Sequence, residues 1–177
     1  ILRGGRAVAQ PVLINTLHRR DPTDAARRAS RRDLVIRDVN DMRRSLDFLI
    51  SRGDIDATKL AYFGYSWGVT SAPFLLALEP RLGVAVLNSA GFSSGNSLPE
   101  IDLRTYVPRV QRPVLMLNGE YDNVFPLETS ARPFFDLLGT PAELKKLVVT
   151  PGGHFVPRET LVRETLDWLD RYLGPVK

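Results

Sequence analysis

The sequence predicts an α/β domain: a three-layer sandwich in which helices cover both faces of a mostly parallel sheet. Two observations lead there. Short apolar runs alternate strictly with amphipathic stretches, the pattern of strands joined by crossover helices. No internal repeat, low-complexity segment or linker divides the chain, so residues 1–177 read as one domain.

Each element follows from its local pattern. "RAVAQPVLI" (6–14) reads as the first strand. "DLVIRDVNDMRRSLDFLI" (33–50) sets Val35, Val39, Met42, Leu46 and Leu49 on one helical stripe, and Gly53 stops it. "KLAYFGY" (59–65) is a second strand, followed by a helix over 67–78 that carries Pro73. "GVAVLN" (83–88) and "PVLMLNG" (113–119) are further strands. "PLETSARPFFDLLG" (126–139) is a helix ended by Gly139, "ELKKLVVT" (143–150) a strand, and "TLVRETLDWLDRYL" (160–173) a last amphipathic helix.

Composition narrows the function classes. At 44% hydrophobic and 25% charged the chain is globular, and no apolar run approaches the ~18–20 residues of a membrane span. It holds no cysteine, which removes disulfides and thiolate metal sites and fits a cytoplasmic setting. The net charge of +4 is carried mainly by arginine, clustered in "HRRDPTDAARRASRRD" (18–33). Asp21, Asp24 and Asp33 interrupt that cluster and no aromatic ring is available for base stacking, so it reads as a solvated loop and no nucleic acid or membrane partner is expected. The start at Ile1, with almost no lead-in to the first strand, reads as a chain cut inside a domain.

In a parallel sheet, function gathers at the C-terminal ends of the strands. Ser66 lies there, in "FGYSWG" (63–68), between a predicted strand and a predicted helix. Glycines at 64 and 68 are expected to relieve crowding at so sharp a corner. The corner aims the N–H of Trp67, at a helix N-terminus, toward an oxyanion forming at Ser66. A serine hydroxyl needs a base, and the chain offers two histidines. His154 follows the last strand behind two glycines, whereas His18 sits in the arginine-rich segment and reads as a surface residue. The group that orients the base is Asp122, past strand 113–119, with Glu120 as its competitor. The order is then Ser66, Asp122, His154, one at the end of each of three strands.

From about Arg31 to Gly174 the chain resembles an α/β-hydrolase of the prolyl-oligopeptidase-like or dienelactone-hydrolase-like group. The resemblance is carried by "DIDATKLAYFGYSWG", "LLALEPRLGVAVLNSAGF", "RPVLMLNGEYDNVFPLETS" and "PGGHFVPRETLVRETLDWLDRYLGP". It implies a serine hydrolase with nucleophile Ser66, acid Asp122 and base His154, no cofactor or metal, and an ester or a peptide as substrate. A serine at position 66 argues against the dehalogenase branch. Relatives often carry a further glycine where this chain has Val69, a change of little expected consequence.

The resemblance also implies three more strands at the start of the sheet and a glycine-rich loop giving a second oxyanion donor. Before Ser66 only "RGGR" (3–6) is at all similar to that loop, and it precedes the first strand. The chain is therefore expected to be a C-terminal portion of a larger domain. Either a gap exposes strand edges and promotes self-association, or 6–14 pairs directly with 59–65. The segment between strands 83–88 and 113–119 is expected to form a loop and short helix near the site. Tyr65, Trp67, Phe92, Tyr121, Phe125 and Phe155 are the candidate substrate-binding residues, with ordinary core packing as the competing reading of each. The alternative to catalysis is a non-catalytic α/β-hydrolase module used for binding or regulation.

Overall fold

The computed structural model describes residues 1–13, 16, 19, 30–95 and 98–176. His18 and most of the arginine-rich segment lie outside them. The described chain forms a four-stranded sheet, β1 (Leu60–Tyr65), β2 (Leu82–Asn88), β3 (Val114–Gly119) and β4 (Lys145–Thr150), in that spatial order. All three pairings are parallel, so every strand ends at the same edge.

The α-helices of the described residues are α1 (Arg31–Ser51), which precedes β1, α2 (Trp67–Leu78), α3 (Leu103–Tyr106) and α4 (Arg132–Leu137), which lie between strands, and α5 (Arg158–Leu173), which follows β4. The two-residue period of the strands sorts their side chains between two cores. Ala85, Leu87, Val114 and Met116 face α1, α2 and α4, where they meet Val39, Leu46, Leu75 and Phe134. Val84, Val86, Leu115 and Leu117 face α5 and meet Trp168, Leu169 and Leu173. Burial on both faces explains why β2 and β3 read as continuous apolar runs. No helix of the described residues is long and apolar enough to cross a membrane.

The expected strand over 6–14 does not form in its described part. Residues 6–13 are irregular, and neither they nor any other described segment pairs with the outer edge of β1. Residues 7–10 are exposed, and Pro11 has no N–H to give to a ladder. Arg6 instead donates to Asp170 Oδ1 and to the Gly174 carbonyl, tying this segment to the end of α5. "RGGR" belongs to the same corner, where Gly4 lies against Leu166 and Gly5 against Val176. On β1 the side chains of Leu60 and Tyr62 are buried, while Phe63 remains 40% exposed.

The helix expected over 126–139 also divides. One turn of π-helix, Leu127–Ala131, precedes α4, because Pro133 in the first turn of α4 has no N–H to continue an α-helical ladder backwards. Gly139 follows the helix for a packing reason, since a Cβ there would lie 1.9 Å from the Pro108 carbonyl oxygen. The segment between β2 and β3 holds α3 flanked by 3₁₀ turns at Pro99–Ile101 and Val107–Arg109, as the sequence suggested.

One buried ion cluster joins α1 to the end of α2. The Glu79 carboxylate, 1% exposed, accepts from Arg81 Nε and Nη2 at 2.6 Å each, from the Arg81 N–H at 3.1 Å, and from Arg43 Nε at 3.3 Å. The hydrogen bonds from Arg81 outweigh desolvation and hold its carboxyl at about 2, below the ordinary 4.5. A folded value below the unfolded one gives stability that is complete above pH ~4.5 and is lost as pH falls toward 2. Glu79→Gln is expected to lower unfolding free energy by about 1.5–3 kcal/mol at pH 7, the worth of a charge-assisted hydrogen bond. In urea titrations the gap from wild type should narrow as pH falls through that window.

Candidate active site

At the end of β1 the backbone reverses into α2 within one residue. Ser66 takes up φ 48° and ψ −103°, a left-handed conformation that a non-glycine residue holds only under constraint. Its N–H donates to the Asn88 carbonyl at 2.9 Å, which pins the corner to the end of β2. Gly64 is required here, because a Cβ would lie 2.8 Å from the Tyr62 ring and 3.1 Å from the Gly68 carbonyl oxygen. Gly68 is not, since a Cβ there meets only Tyr62 Oη at 3.8 Å. The expectation that both glycines relieve crowding therefore holds for one of them. Tyr62 Oη donates to the Gly68 carbonyl at 2.5 Å. Burial, with the nearby Asp38 charge, pushes the Tyr62 phenol up to about 12, so it remains a donor at neutral pH.

Asp122 sits past β3, 3% exposed, at the head of a tight turn. Its Oδ1 accepts from the N–H groups of Val124 at 2.8 Å and Phe125 at 3.0 Å, which fixes the carboxylate's orientation. His154 lies past β4, in a loop that approaches β3 closely enough to need glycine there. A Cβ on Gly119 would stand 1.9 Å from the Gly153 carbonyl oxygen. The loop is laced to the acid's turn by Glu120 N–H to the Thr150 carbonyl and Tyr121 N–H to the Gly152 carbonyl.

These three loops bring the predicted residues into one chain of contacts. His154 Nδ1 is 2.9 Å from Asp122 Oδ2 and 3.0 Å from Oδ1, and His154 Nε2 is 2.7 Å from Ser66 Oγ. Glu120 stays exposed and does not reach the imidazole. Trp67 is the first residue of α2, so its N–H has no acceptor within the helix. A nucleophile, a base and an acid in this geometry can transfer an acyl group.

The aromatic candidates separate into distinct places. The rings of Tyr65, Phe125 and Phe155 stand 5.7, 6.0 and 5.9 Å from the His154 ring, centroid to centroid. Phe125 is buried beneath the imidazole, while Tyr65 and Phe155 are exposed beside it. Tyr121 is exposed too, and its backbone N–H is what touches the site's loops. Phe92 is a buried side chain packed on Phe134 at 5.2 Å, with the Arg104 guanidinium 4.5 Å from its ring centroid. Val69 is buried in the core of α2.

A groove of about 470 Å³ opens beside Trp67, between α1, α2 and residues 92–93 and 101–104, with Asp38, Phe74, Phe92 and Arg104 in its wall. The sequence reading missed Asp38, which falls among the apolar residues of the α1 stripe. Burial, then the charge of Asp41, pushes its carboxyl up to about 6, against a hydrogen bond from Ser71. With the folded value above the unfolded 3.8, protonation favours the fold, so this group erodes stability as pH rises through 6. Asp38→Asn is expected to raise stability at pH 8 by about 1–3 kcal/mol. At pH 4, where wild type is already protonated, thermal melts of the two proteins should nearly coincide.

The serine hydrolase (FSH1) family profile matches residues 56–166. An uncharacterized protein of Mycobacterium tuberculosis is 30% identical over 147 residues, covering 75% of this chain and 51% of that protein. Cutinase 2 of Thermobifida cellulosilytica is 26% identical over 138 residues, covering 73% of this chain and 49% of the cutinase. Among solved structures, a cold-adapted esterase from an Arctic intertidal metagenomic library superposes with a TM-score of 0.66 at 29% identity, covering 76% of this chain and 57% of that one. The chain thus spans about half the length of the curated relatives it matches.

Proposed function

The chain belongs to the serine hydrolase (FSH1) family, within the α/β-hydrolase superfamily, and we propose that it cleaves a small-molecule ester through an acyl-enzyme formed on Ser66. The observation that carries this reading is the unbroken relay from Asp122 through the imidazole to Ser66 Oγ. Asp122 accepts the Nδ1 proton of His154, which leaves the Nε2 lone pair facing the serine hydroxyl. As Ser66 Oγ attacks the carbonyl, its proton passes to Nε2 and Asp122 stabilises the imidazolium.

The tetrahedral oxyanion is met by the Trp67 N–H, a donor of a type worth about 2.7–4 kcal/mol. His154 then returns the proton to the leaving alcohol. Water, deprotonated by the same nitrogen, releases the acid. Tyr65 and Phe155, exposed beside the imidazole, offer the acyl or alcohol part apolar surface.

An ester is favoured over an amide by the names of the relatives, an esterase and a cutinase. The test is hydrolysis of p-nitrophenyl acetate set against an N-acetyl amino-acid p-nitroanilide. The reading expects turnover of the ester, with an initial burst equal to the enzyme present, and little of the anilide. It is overturned if Ser66→Ala hydrolyses the ester as fast as wild type. Faster turnover of the anilide would instead make the chain an amidase.

The edge of β1, which no described segment pairs, and the exposed Phe63 of that strand support self-association as a further property of this chain. Sedimentation of Phe63→Lys against wild type tests it, with the variant expected to remain smaller at high concentration.

A further inference from the structure

The segment that carries His154 is held from two sides. On the β3 side it is laced to the turn of Asp122 by backbone hydrogen bonds. On the side of the nucleophile, a side chain bonds its main chain: Ser89 Oγ donates to the His154 carbonyl oxygen at 2.6 Å. Ser89 directly follows β2, as Ser66 directly follows β1. It is fully buried and takes up a left-handed backbone, φ 55°. Apart from Ser66 it is the one non-glycine residue with positive φ among the described residues.

That conformation is clamped from β3. The Ser89 N–H donates to the Leu117 carbonyl at 2.7 Å, and Asn118 Nδ2 donates to the carbonyl of the next residue, Ala90, at 2.8 Å. Glycine would adopt such a backbone more readily than serine. What serine adds is the hydroxyl, and the hydroxyl is spent on the main chain of His154. Meanwhile the backbone of Asn88, its neighbour, holds the Ser66 N–H. One dipeptide at the end of β2 therefore fixes both partners of the proton transfer.

We infer that Ser89 is a positioning residue, whose hydroxyl anchors the main chain of His154 so that Nε2 stays within reach of Ser66 Oγ. This rests on the reading of Ser66 and His154 as nucleophile and base. Without the anchor, His154 keeps its bonds to Asp122, but its main chain is held only from the β3 side, and the placement of Nε2 relative to Ser66 Oγ is no longer fixed. A misplacement of about 1 Å can cost ~10²-fold in rate.

The test is the kinetics of fluorophosphonate labelling of the 177-residue chain. In that reaction Ser66 Oγ forms a bond to phosphorus, fluoride leaves, and the hydroxyl proton passes to His154. The rate constant reads the placement of the base, and the final extent reads the fraction of intact sites. Ser89→Ala and Ser89→Gly are both expected to label about 10- to 100-fold more slowly, to the same final extent. On p-nitrophenyl acetate, kcat should fall with KM unchanged.

Ser89→Gly removes the hydroxyl while suiting the backbone, so labelling of that variant at the wild-type rate overturns the inference. A lower final extent at an unchanged rate overturns it as well, since that is the mark of a purely structural residue. Failure of wild type itself to label overturns the reading of Ser66 and His154 along with it.

Discussion

His154→Ala is expected to lower kcat for p-nitrophenyl acetate by about 10⁶-fold, the scale at which loss of the base alone disables a triad. The geometry explains why no other group takes over. The imidazole lies between Asp122 and Ser66, so the carboxylate cannot reach the hydroxyl once the ring is gone. The Trp67 N–H is unaffected and leaves the residual rate that oxyanion stabilisation gives without a base. KM should change little, because the ring contacts the nucleophile rather than the ground-state substrate. The fold should survive, since Asp122 keeps the N–H groups of Val124 and Phe125. Activity within tenfold of wild type would mean that a different group deprotonates Ser66.

Asp122→Asn is expected to cost about 10⁴-fold in kcat, by inverting the imidazole's tautomer. Oδ1 is pinned by two backbone N–H donors, so the amide oxygen must occupy that position. The amide NH₂ then falls at the place of Oδ2, 2.9 Å from His154 Nδ1. The Oδ1 position, 3.0 Å from Nδ1, is already committed to two N–H groups. The nearer group facing Nδ1 is therefore a donor, which favours the tautomer with Nδ1 unprotonated and the ring proton on Nε2. There it points at Ser66 Oγ, and the base has become a donor. The pH–rate profile checks the mechanism, because restoring the productive tautomer by pH alone is not possible. A loss of less than tenfold would shift the acid's role elsewhere, with Glu120→Gln as the next variant to measure.

The parts of the fold that positioned the site were legible because their physics is local. β2 and β3 are buried on both faces and so read as unbroken apolar runs, and the α1 stripe was visible at helical spacing. Three polar residues beyond the ends of β1, β3 and β4 could be found because parallel strands finish at one edge. Residues 6–13 show where local pattern misleads. Their apolar residues looked like a strand, yet Pro11 cannot donate to a ladder and Arg6 commits the segment to α5.

Other features depend on partners distant in sequence. Gly64 is needed because of the Gly68 carbonyl and the Tyr62 ring, Gly119 because of the Gly153 carbonyl, and Gly68 for neither reason. Ser89 gave the same signal as Ser66, a polar residue immediately after a strand, but its partner lies 65 residues away. Asp38 sits inside an apolar stripe, where only the packing of α1 against α2 and β1 reveals a buried carboxyl. Phe92 likewise packs on Phe134 and under the Arg104 guanidinium while lining the groove beside Trp67, contacts that only the tertiary structure shows.

The central claim is that Ser66 is the activated nucleophile. Its most direct test is to react the folded chain with a fluorophosphonate and map the adduct by peptide mass spectrometry. The account predicts one phosphonyl group per chain, carried on the peptide containing Tyr65-Ser66-Trp67 and absent from both Ser66→Ala and His154→Ala. A folded chain that takes up no label, or one whose label lies on another residue, would contradict it.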